Sequence, residues 1–202
     1  MEISAVTVKQ LRDKTGAGMM ECKHALREAK GDLAEAEKVL RKRGLSSAAS
    51  KAGRATGEGT VTAYIHTGGK IGVLVEVNCE TDFAAKSEDF QSLAHEIAMH
   101  IAAAAPRFVR RGEVAREVLA DEEEIARDQA VRAGKPPQVV DKVVQGRLEK
   151  FYAETCLLEQ TFVKDSERTI DQLIAERVAR IGENIQVRRF VRFILGEAAA
   201  TG

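Results

Sequence analysis

His95-Glu96-Ile97-Ala98-Met99-His100 places two imidazoles and a carboxylate within six residues, the ingredients of a zinc protease. That chemistry needs both ligands on one helix face, four residues apart. Here they are five apart, which turns them about 140° from each other, so no metal site is expected. Glu80 and Asp82 offer two carboxylates for acid–base work, but two carboxylates two residues apart, with no third group converging on them, give little support for a cooperating pair. Cys22 with His24, and Cys79 with any histidine, lack the third group that orients a base for nucleophilic catalysis. Gly16-Ala17-Gly18 follows a helix and has no third glycine, while Gly68-Gly69-Lys70 belongs to a hairpin. Neither is a phosphate cradle. No cofactor, metal or covalent chemistry is expected, and the chain reads as a non-enzyme.

One segment remains, Asn78-Cys79-Glu80-Thr81-Asp82-Phe83-Ala84-Ala85-Lys86. A strictly alternating apolar run ends before it and a helical pattern begins after it, so rigid elements mount it on both sides, as they do many binding loops. Phe83 is its one aromatic residue. Read from chemistry alone, Asp82 or Thr81 caps the coming helix and Phe83 plugs the core beneath it.

The elements that deliver this segment follow from pattern. Val61, Ala63 and Ile65 alternate on one face, Ile71, Val73, Val75 and Val77 continue beyond Thr67-Gly68-Gly69-Lys70, and the two runs make a β-hairpin. Ser87 caps a helix with Glu88 and Asp89 in its first turn and Phe90, Leu93, Ala94, Ile97 and Ile101 on one stripe until Pro106, expected to cover the apolar face of the hairpin. Asp121-Glu122-Glu123-Glu124 leads a solvated helix ending near Gly134, Pro136-Pro137 breaks it, and an amphipathic helix spans about 138–155. Residues 156–163 bury and turn, Thr169-Ile170-Asp171-Gln172 opens a helix ending at Gly182, and 185–195 form a final strand broken at Arg188-Arg189.

Upstream lies a separate set of short helices. Thr7-Val8-Lys9-Gln10 has the capping-box form and starts the first at Val8. Gly16 and Gly18 stop it, a second runs over 19–30 with Gly31 as its left-handed cap, and Asp32-Leu33-Ala34-Glu35 opens a third that Gly44 closes. Val8, Leu11, Met20, Cys22, Leu26, Leu33, Ala36, Val39 and Leu40 supply its core, while Met19 falls in an exposed first turn, where methionine suits an adaptable partner contact. The Ser-, Ala- and Gly-rich stretch that follows has linker composition, with room for one helical turn over 48–52. The fold class is therefore α+β: residues 1–45 a three-helix docking module, 46–59 a flexible linker, and 60–202 a small antiparallel sheet covered by helices.

With 31 basic and 31 acidic residues the chain has no net charge, which argues against coating nucleic acid or an anionic membrane. No apolar run approaches a membrane span, and three scattered cysteines, Cys22, Cys79 and Cys156, read as reduced thiols of a cytoplasmic protein.

Leu11-Arg12-Asp13-Lys14-Thr15-Gly16-Ala17-Gly18-Met19-Met20-Glu21-Cys22-Lys23, Gly72-Val73-Leu74-Val75-Glu76-Val77-Asn78-Cys79-Glu80-Thr81-Asp82-Phe83, Gly134-Lys135-Pro136 and Leu157-Leu158-Glu159-Gln160 resemble, in order, bacterial translation elongation factor Ts, over almost the whole chain. The resemblance implies a guanine-nucleotide exchange factor for the GTPase EF-Tu. It implies a ubiquitin-associated-like (UBA-like) amino-terminal module and a core carrying the Thr-Asp-Phe segment, with Phe83 wedging near the magnesium and phosphate site of the GTPase domain. Asp82 is its polar companion, Thr81 fixes the turn, and Met19, Met20, Lys23 and Lys51 are further contacts. That reverses the core-plug reading of Phe83.

Two departures accompany the resemblance. Ala84 stands where the family usually has Val. The chain is also short: the second core subdomain and protruding helical hairpin of longer members are not expected, and pairing as a homodimer, with the terminal strand as candidate edge, is expected to supply the missing half. The alternative function is an RNA- or ribosome-associated adapter using the basic end of the small module, against which neutral charge and the lack of basic aromatic clusters count; an enzyme built on Glu80 and Asp82 lacks a convergent site.

Overall fold

A computed structural model of the chain describes residues 3–197. The described residues are α+β, with helices α1 (Ala5–Thr15), α2 (Met19–Glu28), α3 (Leu33–Lys51), α4 (Asp82–Lys86), α5 (Glu88–Ala104), α6 (Arg116–Arg132), α7 (Pro137–Thr155) and α8 (Ile170–Ile181). Strands β1 (Glu58–Ile65), β2 (Ile71–Cys79) and β5 (Ile185–Ile194) form a sheet in the order β1-β2-β5, and β3 (Thr161–Phe162) pairs antiparallel with β4 (Asp165–Thr169). By contact the chain divides into two compact units. One is built from the chain up to Thr62 with Glu76–Glu96 and Gln172–Arg188, the other from Ala63–Val75, Ile97–Asp171 and the chain from Arg189 on.

In the first unit, α1 starts earlier than the Thr7 signal suggests. Ser4 is the cap, its Oγ accepting from the Thr7 N–H at 3.1 Å, because Ala5 and Val6 fit a first turn and leave the hydroxyl before them to take the free donor. Gly16 closes α1 in the left-handed conformation (φ 69°), and Gly18 opens α2 with the Glu21 carboxylate reaching back to its N–H at 3.1 Å. Asp32 caps α3 as expected, accepting from Glu35 N–H at 2.9 Å. Val8, Leu11, Cys22, Ala25, Leu26 and Ala36 form the core of these helices. Met20 and Leu33, placed in that core by their spacing, are exposed.

Helix α3 does not stop at Gly44 and runs on to Lys51, so the expected linker over 46–59 is helical in its first part. Gly44 lies inside the helix, where a Cβ would stand in ordinary contact with the Ala179 Cβ (3.7 Å) and the Ala175 carbonyl (3.9 Å) of α8, and the Ala-rich residues beyond it continue the helix well. Asn184 then fixes the chain past the helix end, donating through Nδ2 to the Arg54 carbonyl at 2.8 Å and the Ala52 carbonyl at 3.3 Å.

The hairpin of β1 and β2 turns through Gly68 and Gly69, both at positive φ, with His66 N–H donating to the Ile71 carbonyl at 2.9 Å. Val73, Val75, Val77 and Cys79 of β2 are buried. Val61 and Ile65 of β1 are exposed instead, so β1 does not share that buried face. Register explains it: Ile65 lies across from Gly72, where a Cβ would meet the Ile65 Cδ1 at 3.1 Å, and so falls on the face of Gly72 and Leu74. Strand β5 is continuous through Arg188-Arg189, where a break was expected. The burial alternation changes phase there, turning Val191 and Phe193 outward.

In the second unit, α6 and α7 make an antiparallel helical hairpin, a feature that the reading of this chain as a short family member did not expect. Ala126 and Ala130 pack with Val140 and Val144 in a small core, and Arg127 pairs with Asp141 at 3.0 Å. Lys135-Pro136 shortens the connection and Pro137 occupies the first turn of α7, where its missing N–H costs nothing. Arg111 lies between Glu149 and Glu159 and over the Tyr152 ring, 4.3 Å from its centroid. His100 is fully buried, bonding Gln160 Oε1 through Nε2 at 3.0 Å and accepting from Val163 N–H at 3.3 Å, and burial pushes its pKa down.

One backbone contact tests the hairpin. Gly59 sits at φ 145°, and a Cβ there would lie 2.2 Å from the Val77 carbonyl oxygen. The Gly59→Ala chain is expected to lose about 3 kcal/mol of stability, from backbone strain and forced separation of the strands, read as a lower urea midpoint. An unchanged midpoint would show that the strands part without cost.

Candidate functional site

Strand β2 ends at Cys79, and the next residues must satisfy backbone donors that no longer have a strand partner. A carboxylate from 100 residues downstream does this. Glu183 Oε2 accepts from Glu80 N–H at 3.1 Å and Thr81 N–H at 3.0 Å, and its Oε1 accepts from the Thr81 hydroxyl at 2.6 Å. In return Glu80 Oε1 accepts from Asn184 N–H at 2.6 Å and lies 3.4 Å from Arg54 Nη1. The two ends of β2 and α8 are thereby laced together inside one unit.

Thr81 then caps α4, its Oγ1 accepting from Ala84 N–H at 3.2 Å. Helix α4 is a single turn between two caps: Ser87 donates its hydroxyl to the Ala84 carbonyl at 2.7 Å and accepts from Phe90 N–H at 3.3 Å to open α5. Gln91 Nε2 donates to the Ala85 carbonyl at 2.6 Å, and the Cys79 thiol donates to the Thr81 carbonyl at 3.2 Å. Burial pushes the Cys79 thiol up, so it stays protonated and serves as a donor.

The cap half of the cap-and-plug reading holds for Thr81, and the plug half does not hold for Phe83. Ala84 and Ala85 are the residues that turn inward, while Phe83 is 84% exposed. Asp82 and Lys86 pair at 2.6 Å one turn apart, and that bond holds the Asp82 carboxyl below the usual carboxylate range. An apolar ring on a turn fixed from both sides, with an ion pair beside it, has the geometry of a docking projection and offers no convergent groups for bond chemistry.

The other expected contacts stand on different elements. Met19 (49% exposed) and Met20 (60%) project from the first turn of α2, with Lys23 half-buried one turn on. Lys51 ends α3 and donates to the Ser47 hydroxyl. Thr81, Asp82, Phe83 and Ala84 are brought together on one turn; the methionines, Lys23 and Lys51 are not joined to it by direct contact. Glu183 and Asn184, which hold the segment, escaped the sequence reading. Their signal was a polar pair wedged between a helix-ending glycine and an apolar strand.

Among the described residues no cluster of His, Cys, Asp and Glu could hold a metal ion, and no helix is long and apolar enough to cross a membrane. What the fold and this segment define is an α+β protein that holds an exposed aromatic ring on a capped turn. A family model described as Elongation factor TS matches residues 47–197, and the chain belongs to the elongation factor Ts family. It is 62% identical over 196 residues to the elongation factor Ts of Anaeromyxobacter sp. (strain K), covering 97% of this chain and 90% of that one. The Desulforamulus reducens factor is 60% identical over 196 residues, with 97% and 90% covered, and the Moorella thermoacetica factor 59% over 195 residues, with 96% of each chain covered.

Removing the Glu183 carboxylate tests the mounting of the segment. Glu183→Ala leaves two N–H groups and a hydroxyl without their acceptor, and is expected to cost about 1–3 kcal/mol. It should also speed amide hydrogen exchange at Glu80 and Thr81 more than in α1 or α2. Uniform acceleration across the first unit would mean that the carboxylate supports the unit generally and not this segment.

Proposed function

We propose that this chain is the guanine-nucleotide exchange factor that releases GDP from EF-Tu during protein synthesis, working in the cytoplasm, with Phe83 as the wedge that enters the GTPase domain near its magnesium and phosphate site. The observation that carries the reading is the exposure of Phe83 on a turn whose backbone is fixed by Glu183, Thr81 and Ser87. A GTPase holds diphosphate through a backbone cradle and a magnesium ion, so displacing either by an ångström or so removes much of the affinity. By linkage, a factor that weakens nucleotide binding is itself bound less tightly when nucleotide is present, and release and rebinding form a cycle without covalent chemistry. The chain contributes geometry and no bond-making step.

In this reading Thr81 sets the turn and Ala84 seats it. Asp82 meets the partner beside the ring, and the exposed Met19 and Met20, with Lys23 and Lys51, dock elsewhere on the same GTPase domain. The three amino-terminal helices are the UBA-like docking module and the chain from residue 60 is the core. An aromatic anchor in an apolar slot contributes about 2–4 kcal/mol as a hot spot. With EF-Tu loaded with fluorescent GDP, the chain is expected to accelerate release, and Phe83→Ala to lower that acceleration at least ~30-fold at sub-saturating factor. No acceleration by the unsubstituted chain would refute the exchange role, and equal acceleration by the variant would refute the wedge.

The same reading includes a homodimer. Ile65, Leu74, Val191, Phe193 and Leu195 are exposed apolar residues of the second unit's strands and strand end. A second copy is the proposed cover. Sedimentation at micromolar concentration should show a dimer that Phe193→Glu shifts to monomer; a monomeric unsubstituted chain would refute the pairing.

A further inference from the structure

Helix α8 carries the segment that grips Thr81, and the same helix seats the amino-terminal helices. Glu176, Ala179 and Arg180 share one face of it by their three- and four-residue spacing. Glu176 lies 4.0 Å from Arg41 of α3, and Ala179 faces Gly44. Arg180 reaches the loop between α1 and α2: a Cβ at Gly16 would lie 2.7 Å from the Arg180 Cζ and Nη1, so the guanidinium lies against backbone that only a glycine leaves bare. On its other side Arg180 Nε pairs with Asp89 Oδ2 at 3.0 Å, at the start of α5 just past the Phe83 turn. Asp89 Oδ1 is held in turn by Arg177 Nη1 at 3.5 Å, and Arg177 Nη2 lies 3.5 Å from Glu96 Oε2.

We propose that Arg180 is a positioning residue: clamped between Asp89 and the Gly16 backbone, it fixes the α2 edge that carries Met19 and Met20 at a set distance from the turn that carries Phe83. The inference rests on the exchange reading for its consequence and on the geometry alone for its mechanics. A planar guanidinium suits the task, because it packs flat on a peptide while its edge bonds a carboxylate, which a lysine does not reproduce. The left-handed φ of 69° favours glycine at position 16, and its bare backbone leaves the space that the guanidinium fills. Two contact surfaces at a fixed spacing engage a partner as one, since the second contact forms at high effective concentration once the first is made. With the clamp loosened, each surface survives and their joint action weakens.

The test measures spacing and exchange separately. Spin labels go on His24→Cys in α2 and Glu88→Cys in α5, both exposed positions, while Cys22, Cys79 and Cys156 are buried and stay unlabelled. Labelled chains are diluted into unlabelled ones so that pulsed dipolar spectroscopy reads distances within one chain. The clamp is opened from either side, by Arg180→Met or by Gly16→Asn, since asparagine tolerates the left-handed backbone and its Cβ displaces the guanidinium. Both variants are expected to broaden a narrow distance distribution while circular dichroism keeps the helix content, and to lower the acceleration of GDP release about tenfold. A distribution that stays narrow in Arg180→Met overturns the positioning role, and so does broadening without any loss of acceleration. An unsubstituted chain that fails to accelerate GDP release refutes the exchange reading instead, and leaves the distance result to decide the clamp.

Discussion

The carboxylate of Glu183 is the interaction on which the projecting turn depends. It takes two main-chain donors and one hydroxyl at the point where β2 runs out, and it does so from the residue after the glycine that follows α8. Three donors converging on one carboxylate are an arrangement that a neutral side chain does not replace, because charge-assisted bonds are shorter and stronger and the amide of a glutamine accepts through one oxygen only. Everything else about the turn follows once Thr81 is held. Its hydroxyl oxygen caps α4, Ala84 and Ala85 turn inward, and the ring of Phe83 just before them points outward.

That arrangement inverts a common expectation about where a large apolar side chain belongs. Burying a phenylalanine contributes about 2–3 kcal/mol, yet this chain gives the interior position on α4 to alanine. The turn is held instead by hydrogen bonds from Ser87 and Gln91 to the α4 carbonyls. A turn of five residues has too few intrahelical bonds to persist alone, so it is the caps at both ends that make it a fixed object. Sequence positions 81 and 87 therefore matter to the orientation of position 83 through the caps that they supply.

Much of this was legible from residue types. Alternation placed β2, the Asp32 and Ser87 caps placed α3 and α5, and the stripe of Phe90, Leu93 and Ile97 placed the buried side of α5. The misses share a physical cause, which is that one residue type answers to several demands. Gly44 reads as a helix stop and lies inside a helix that runs on past it; Val61 and Ile65 alternate as an inward face should, but the turn sets the register that puts them outward. A pattern within one strand cannot report the register between two. The hold of Glu183 on Thr81 spans more than a hundred residues, and a carboxylate after a helix looks the same whether it meets water or a distant backbone. The exposure of Phe83 was legible only through likeness to a family, since composition favoured the opposite.

The ion pair of Asp82 and Lys86 beside the ring has a kinetic meaning. A projection that had to unpack from its own core before meeting a partner would pass through a rearranged state, and its association would be slowed by the population of that state. Here the ring is already in water, with charged neighbours that oppose its collapse onto another apolar surface. In the proposed exchange role, its arrival at the partner is then set by encounter and orientation. A ring held in water on a capped turn needs no unpacking step before it is presented.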